Sequence, residues 1–206
     1  MHKDKGQENK SFWNKVSGFY DLSVRSSKKG YSKVIDKIRH RLKQDMNVLE
    51  LATATGIIGI GVAHYCKTIM ATDFSEKMIK KACRKKKPEN LQYAVEDATD
   101  LSFGDNVFDV VIISNALHIM PDPAAALNNI KRVLKPDGVM IAPTFTRSDN
   151  TSEGIKEKLM EIVGFKTHHR WTFDSYISFL EDNGWQIVES SVIKASFPIA
   201  YVVAKY

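Results

Sequence analysis

Cysteine is nearly missing from this 206-residue chain. Cys66 and Cys83 are the only two, they form no CxxC pair, and their spacing is not that of a metal ligand set. A disulfide scaffold and a zinc module are therefore excluded. Long apolar runs are missing as well, and none approaches the roughly 20 residues of a membrane-spanning helix. The opening stretch, MHKDKGQENK, has no apolar segment of the secretory kind, and residues 1–10 read as a floppy tail. No GxxxxGK[ST] occurs, which removes the P-loop nucleotide sites. Basic residues are nowhere interleaved with aromatics in a stripe, so nucleic-acid binding finds little support. A soluble, cytoplasmic protein is expected, and the sequence does not distinguish a monomer from a homodimer.

What is present is an ordinary globular composition, 43% hydrophobic and 26% charged, enough for one core without covalent staples. The net charge of +6 is uneven. Residues 1–45 carry twelve Lys and Arg against five Asp and Glu, and the other 161 residues carry eighteen against nineteen. The basicity belongs to the N-terminal segment, where it reads as a solvated pair of helices or as a docking face for phosphate or a membrane surface.

Apolar residues at helical spacing predict helices from Phe12 to Leu22 and over Tyr31–Leu42, and strands and helices then alternate. Strands are expected at Met46–Leu51, Thr68–Thr72, Leu91–Val95, Val107–Ser114, Val139–Pro143, Trp185–Ile193 and Ile199–Ala204. Helices are expected at Ile57–Tyr65, after an N-cap at Ser75, from Pro123 to Leu134, at Thr151–Val163 and at Phe173–Asp182, with a turn at Lys135–Gly138. This alternation requires a mostly parallel sheet covered by helices on both faces. The last two strands are joined by only a few residues and must pair antiparallel. The expected architecture is one α/β domain over residues 1–206, with seven strands of which the last is reversed.

In such open sheets, ligands sit beyond the carboxyl ends of the strands. Four consecutive loops there carry pointed chemistry. Glu50 precedes a small-residue turn ending at Gly56, where backbone can approach a ligand and a helix N-terminus follows. Asp73 ends the second strand and can accept from a ribose diol. Glu96-Asp97-Ala98 follows the third strand, and Ser114-Asn115-Ala116 the fourth. Together they favour an adenosine-containing ligand. The dinucleotide pattern GxGxxG is replaced by Gly56, Gly59 and Gly61, reversed and displaced into the helix, which disfavours NAD. Acids at Glu50, Asp73 and Asp97 would repel a pyrophosphate and tolerate a sulfonium and an ammonium.

The stretches VLELATATG, ATDFSEKMIKKA, EDATDLSFGDNVFDVVI and NALHIMPDPAAALNNIKRVLKPDGVMIAP resemble the successive motifs of the class I S-adenosylmethionine-dependent methyltransferases. The chain is most similar to their type 11, ubiquinone/menaquinone-like small-molecule branch, from about Trp13 to its end. The resemblance implies a Rossmann-like fold and S-adenosyl-L-methionine as cofactor. It implies that Asp73 binds the ribose, that Phe74 and Met78 flank the adenine, and that Asp97 and the Ala98 N–H read the adenine edge. Backbone at Ala52 and near Asn115 would hold the methionine part above Glu50, behind the Gly56 turn. Tyr20 would belong to N-terminal helices, residues 11–45, that cap the cofactor. The family's glycines are replaced here at Ala52 and Ala54, and at position 54 a methyl group would crowd the cofactor if the backbone there needs a positive φ.

The expected reaction is methyl transfer to a small-molecule acceptor by in-line displacement, without a metal. His118 is the best-placed titratable group if a proton acceptor is needed. Residues 144–172 are expected to line the acceptor pocket, with His168, His169, Phe165, Trp171 and Tyr176 as candidates. Two alternatives stay open: a catalytically silent binding or regulatory protein of the same fold, and an RNA- or lipid-directed methyltransferase docking through its basic N-terminal helices.

Overall fold

The computed structural model describes residues 12–15, 17–18, 20–21, 28–147, 167–195 and 198–206. The elements follow one another as α1 (Lys28–Arg39), β1 (Asn47–Leu51), α2 (Ile57–Val62), β2 (Thr68–Asp73), α3 (Glu76–Cys83), β3 (Leu91–Val95), β4 (Phe108–Ile113), α4 (Pro123–Val133), β5 (Leu134–Ile141), β6 (Thr144–Phe145), α5 (Phe173–Asp182), β7 (Gln186–Ile193) and β8 (Ile199–Lys205).

The sheet order is β3-β2-β1-β4-β5-β8, with β6 and β7 both pairing β8. The first five strands are parallel, and β8 runs antiparallel to β5, β6 and β7. The expected seven strands are all there. The two-residue β6 makes an eighth, continuing the direction of β5 beyond Ala142 and Pro143.

Period-2 alternation explains the two-sided core. On β4, Val111 and Ile113 join one apolar cluster and Val110 and Ile112 the other; on β8, Ala200, Val202 and Ala204 oppose Tyr201 and Val203 in the same way. One cluster packs against α4 and α5, the other against α1 and α2. Strand β8, IAYVVAK, is buried at every position but its last, whereas β7 alternates exposed and half-buried. Only β8 is apolar enough to sit inside the sheet, so the last strand inserts between β5 and β7 and leaves β7 at the edge. Glu189 on β7 ties that edge to α1 through Lys37 and to the turn just past α1 through Arg41.

Caps end the helices where the sequence calls for them. Ser75 Oγ accepts from Met78 N, Asp122 caps α4 with Pro123 in its first turn, and Thr172 and Ser175 form a reciprocal capping box on α5. Two expectations need correction. The N-terminal helix from Phe12 to Leu22 is interrupted: residues 12–15 and 20–21 are helical, with a turn at Ser17–Gly18 between them. The turn expected at Lys135–Gly138 lies inside β5. There Phe108 faces Leu134 while Val110 faces Val139, so five residues of β5 span two of β4 and the excess loops out. The helix expected at Thr151–Val163 falls outside the described residues.

Candidate functional site

A hollow of about 640 Å³ opens beyond the carboxyl ends of β1 to β4. Its first wall is the turn after β1. Ala52, Ala54 and Gly56 take positive φ of 52°, 51° and 80°. Such backbone is unfavourable for alanine and persists only where the surroundings hold it. Here Thr53 N donates to Thr72 O at 2.8 Å, Ala54 N to Asp73 Oδ2 at 2.8 Å, and Gly56 N to Thr53 O at 2.9 Å. The Ala54 position therefore does need a positive φ, and its methyl group lines the hollow.

Glu50 supports this turn from beneath. It is 2% exposed, and its Oε2 accepts from Thr53 Oγ1 at 2.7 Å. Burial pushes its carboxyl up to about 7, against the opposing hydrogen bonds from Thr53 and the Gly59 N–H. A Cβ at Gly59 would lie 2.6 Å from Glu50 Oε2, and one at Gly56 would lie 2.2 Å from Tyr93 Oη. Both glycines are thus required by close approach. Neither Glu50 nor Gly56 lines the hollow; they brace the turn that does.

Asp73, at the end of β2, accepts from Ser75 N on Oδ1 and from Ala54 N on Oδ2, each at 2.8 Å. Burial raises its carboxyl to about 6 in spite of these two N–H groups. Each oxygen keeps a second lone pair for a ligand. Phe74 and Met78 line the same wall. Asp97 Oδ1 accepts from Thr99 N at 2.9 Å and from Thr99 Oγ1 at 2.7 Å, which turns the loop so that Asp97, Ala98 and Thr99 all line the hollow. Asn115 follows β4 with φ 52°, pinned by its N–H to Pro143 O at 2.8 Å.

The N-terminal segment closes the fourth side with Trp13 and Tyr20. Its fastenings go to the β1 turn and to α3 and its two ends. Asn14 Oδ1 accepts from Ser75 Oγ at 2.7 Å, Lys81 Nζ donates to the carbonyls of Ser17 and Gly18, and Asp21 Oδ1 accepts from Thr55 Oγ1 at 2.5 Å and Lys85 Nζ at 3.0 Å. Those bonds hold the Asp21 carboxyl below its ordinary value although partial burial opposes them.

The lining includes four carboxylates, Asp73, Glu96, Asp97 and Asp122, and no Lys, Arg or His among the described residues. Its potential favours a cation and disfavours phosphate. Among the described residues, no three His, Cys, Asp or Glu side chains converge as a metal site would require, and no helix is long and apolar enough to cross a membrane.

Tyr20, Ala52, Asp73, Phe74, Met78, Asp97, Ala98 and Asn115 all line the hollow. His118 is not among the side chains that line the hollow. It sits in a 3₁₀ turn, Leu117–Ile119, whose period of three turns Ala116 and Ile119 to the hollow and His118 into the protein. Its Nδ1 lies 3.0 Å from Thr144 Oγ1, its carbonyl accepts from His168 N and His169 N, and burial, with His169 nearby, pushes its pKa down to about 4. The histidine is thus neutral and structural in its contacts. Trp171 and Tyr176 are likewise core residues, with the His169 ring stacked 5.1 Å from Trp171; Phe165 falls outside the described residues. Trp13, Thr72, Thr99 and the Ile119–Asp122 stretch are lining residues that sequence reasoning missed. Trp13 lies in a stretch that reads as an ordinary helix, and Asp122 stands only as the residue before Pro123, where the structure shows it capping α4.

Comparison with known proteins follows the same lines. Residues 49–142 match the model of a family described as a methyltransferase domain, its type 11. A demethylmenaquinone methyltransferase of Clavibacter sepedonicus is 35% identical over 100 residues, 48% of this chain and 41% of that protein. A ubiquinone/menaquinone biosynthesis C-methyltransferase of Rickettsia bellii is 30% identical over 134 residues, 60% of this chain and 51% of its own. The chain spans about half the length of these relatives. Among solved structures, a complex of DhpI with S-adenosylhomocysteine has a similar fold, with a TM-score of 0.75 and 18% identity over 97% of this chain and 96% of that one.

Proposed function

We infer, for a chain that carries a class I S-adenosylmethionine-dependent methyltransferase domain of the ubiquinone/menaquinone-methyltransferase type, that it binds S-adenosylmethionine in the hollow and methylates a small-molecule acceptor. The observation that carries this reading is the donor set of one cavity: four carboxylates and no cationic side chain among the described lining residues, over a turn of three left-handed residues. A phosphate-free nucleoside bearing positive charge suits that set.

In this reading Asp73 accepts from the ribose hydroxyls, Asp97 and the Ala98 N–H read the adenine edge, Phe74 and Met78 flank the ring, and Ala52 and Asn115 hold the amino-acid end. The cofactor supplies a methyl group on a positively charged sulfur. The protein's part is to align an acceptor with that methyl and to exclude water, for which Trp13 and Tyr20 cover the hollow. His118 braces the turn that presents Ala116 and Ile119. The reading includes no metal.

A thermal-shift titration with S-adenosylmethionine and S-adenosylhomocysteine tests it. A ligand at about 100 times its dissociation constant stabilises a protein by roughly 2.7 kcal/mol. Asp73→Ala is expected to abolish most of that shift while remaining folded. Folded wild-type protein that shifts with neither ligand refutes the reading. Binding without turnover across a broad acceptor panel would favour a silent relative of the same fold.

A further inference from the structure

Strand β7 has a partner on one side only. It pairs with β8, and no described strand lies along its other edge. Such an edge exposes a row of unpaired N–H and C=O groups and is a template for another strand. This one is eight residues long, QIVESSVI, and carries Val188 and Val192 at 47% and 48% exposure. They are the two most exposed large hydrophobic side chains among the described residues.

The register with β8 shifts between Ile187 and Glu189 and is regular from there to Ile193. Glu189 faces α1, where Lys37 and Arg41 offset its charge. By period-2 alternation Ser190 and Val192 face the other side, beside Val202 and Ala200 of the α4–α5 cluster, and the exposed Val188 continues their row.

The order of the residues identifies the partner. Counted outwards from Ser190, the strand has the same character in both directions: Val188 and Val192, then Ile187 and Ile193, with Glu189 matched by the small Ser191. Two such strands meeting antiparallel about Ser190 set Val188 of each copy opposite Val192 of the other. No charge then faces a like charge across the pair. A two-fold axis demands this self-complementarity, because one patch serves on both subunits. We propose that β7 is a self-association face, along which two copies of this chain join antiparallel, with the dyad at Ser190, into one continuous sheet. The pairing does not depend on what the hollow binds.

Sedimentation equilibrium in about 0.15 M salt, where repulsion between copies of net charge +6 is largely screened, measures the dimer. Val188→Lys/Val192→Lys sets cations opposite each other at two points and should raise the dimer dissociation constant about tenfold or more. Val188→Glu/Val192→Glu should weaken the dimer as much, although it lowers the net charge of each copy. Val188→Lys/Val192→Glu sets opposite charges at the same points and should return the constant to within about threefold of wild type. Within one chain the two positions lie about 13 Å apart along the strand, beyond the screening length of roughly 8 Å, so only the intermolecular register couples them. Amide hydrogen exchange is a second readout on the unsubstituted protein: residues 188–192 should exchange more slowly as its concentration rises. Wild-type protein that stays monomeric at about 100 μM, with exchange at 188–192 independent of concentration, overturns the proposal. A dimer that the Lys/Lys and Glu/Glu pairs leave intact overturns it too, since the contact then lies on another face. A Lys/Glu pair no tighter than either like-charged pair overturns the register about Ser190.

Discussion

Glu50→Gln isolates the electrostatic tension beneath the β1 turn. Glu50 is fully buried, and its carboxyl is raised from 4.5 to about 7. A carboxyl whose folded value lies above its unfolded value binds its proton more tightly in the native state. Stability is then greatest below about 4.5 and is lost as pH rises through the window up to about 7. At roughly 1.4 kcal/mol per pH unit of displacement, most of the Glu50 contribution falls between pH 5.5 and 8, where it amounts to roughly 2 kcal/mol. Asp73, raised from 3.8 to about 6, adds roughly 1 kcal/mol with the same sign. Urea unfolding of the ligand-free protein at pH 5.5 and pH 8 is the assay. His118, held down from 6.5 to about 4, acts with the opposite sign and offsets roughly 1.4 kcal/mol over the same interval. Wild type should therefore be the less stable at pH 8 by roughly 1.5 kcal/mol. Glu50→Gln, which cannot ionise and can still accept from Thr53, should lose the roughly 2 kcal/mol due to Glu50 and be about equally stable at the two pH values, because Asp73 and His118 nearly cancel. An equal pH dependence in the two proteins would refute the reasoning, because Glu50 would then be ionised in the native state at little penalty. Working above pH 5 keeps Asp21, Asp109 and Glu189 out of the measurement, since their bonded carboxyls are held below the ordinary range.

Two further outcomes are expected from the same region. Gly59→Ala would push a methyl group against the Glu50 carboxylate, which Thr53 holds in place. It should destabilise by roughly 2 kcal/mol, about 4–8 °C in the melting temperature of a chain this size, by differential scanning calorimetry. Asp21→Asn removes an ion pair with Lys85 whose side chains are 31% and 43% exposed. Such pairs contribute under about 1 kcal/mol, so stability should barely change. Release of a bound ligand followed by stopped-flow tryptophan fluorescence should nonetheless quicken several-fold, because Asp21 and Thr55 fasten the segment that covers the hollow. An unchanged release rate would show that the segment does not control access.

Much of the site could be read in the sequence because its residues act through local chain geometry. Asp73 ends a strand, and Asp97 and Asn115 each stand two residues past one, so parallel strand register brings them to one edge of the sheet. Ser75 and Pro123 announce helix starts in the same local way. Position 54 could be questioned from its neighbours alone, and a positive φ is what the turn demands of it. His118 failed for a reason equally physical. It lies three residues past Asn115, but Asn115 precedes the 3₁₀ turn, whose period of three pairs Ile119 with Ala116 at the hollow and sends the His118 ring to Thr144. Trp13 was hidden because an apolar residue at helical spacing looks the same whether it meets a core or a cavity.

The alternation of strand and helix, the parallel pairing it enforces, and the succession of acids at strand ends belong to the chain's linear order, since each follows from neighbours within a few residues. The place of β8 between β5 and β7, the raised carboxyl of Glu50, and the hydrogen bonds of Tyr31 with Tyr20 and Asn115 depend on which distant residues become neighbours. Tyr31 and Asn115 are 84 positions apart, and no local pattern records their meeting. Burial and long-range hydrogen bonding are set by the packed fold, and they decide which groups are charged, which are satisfied, and which still await a partner.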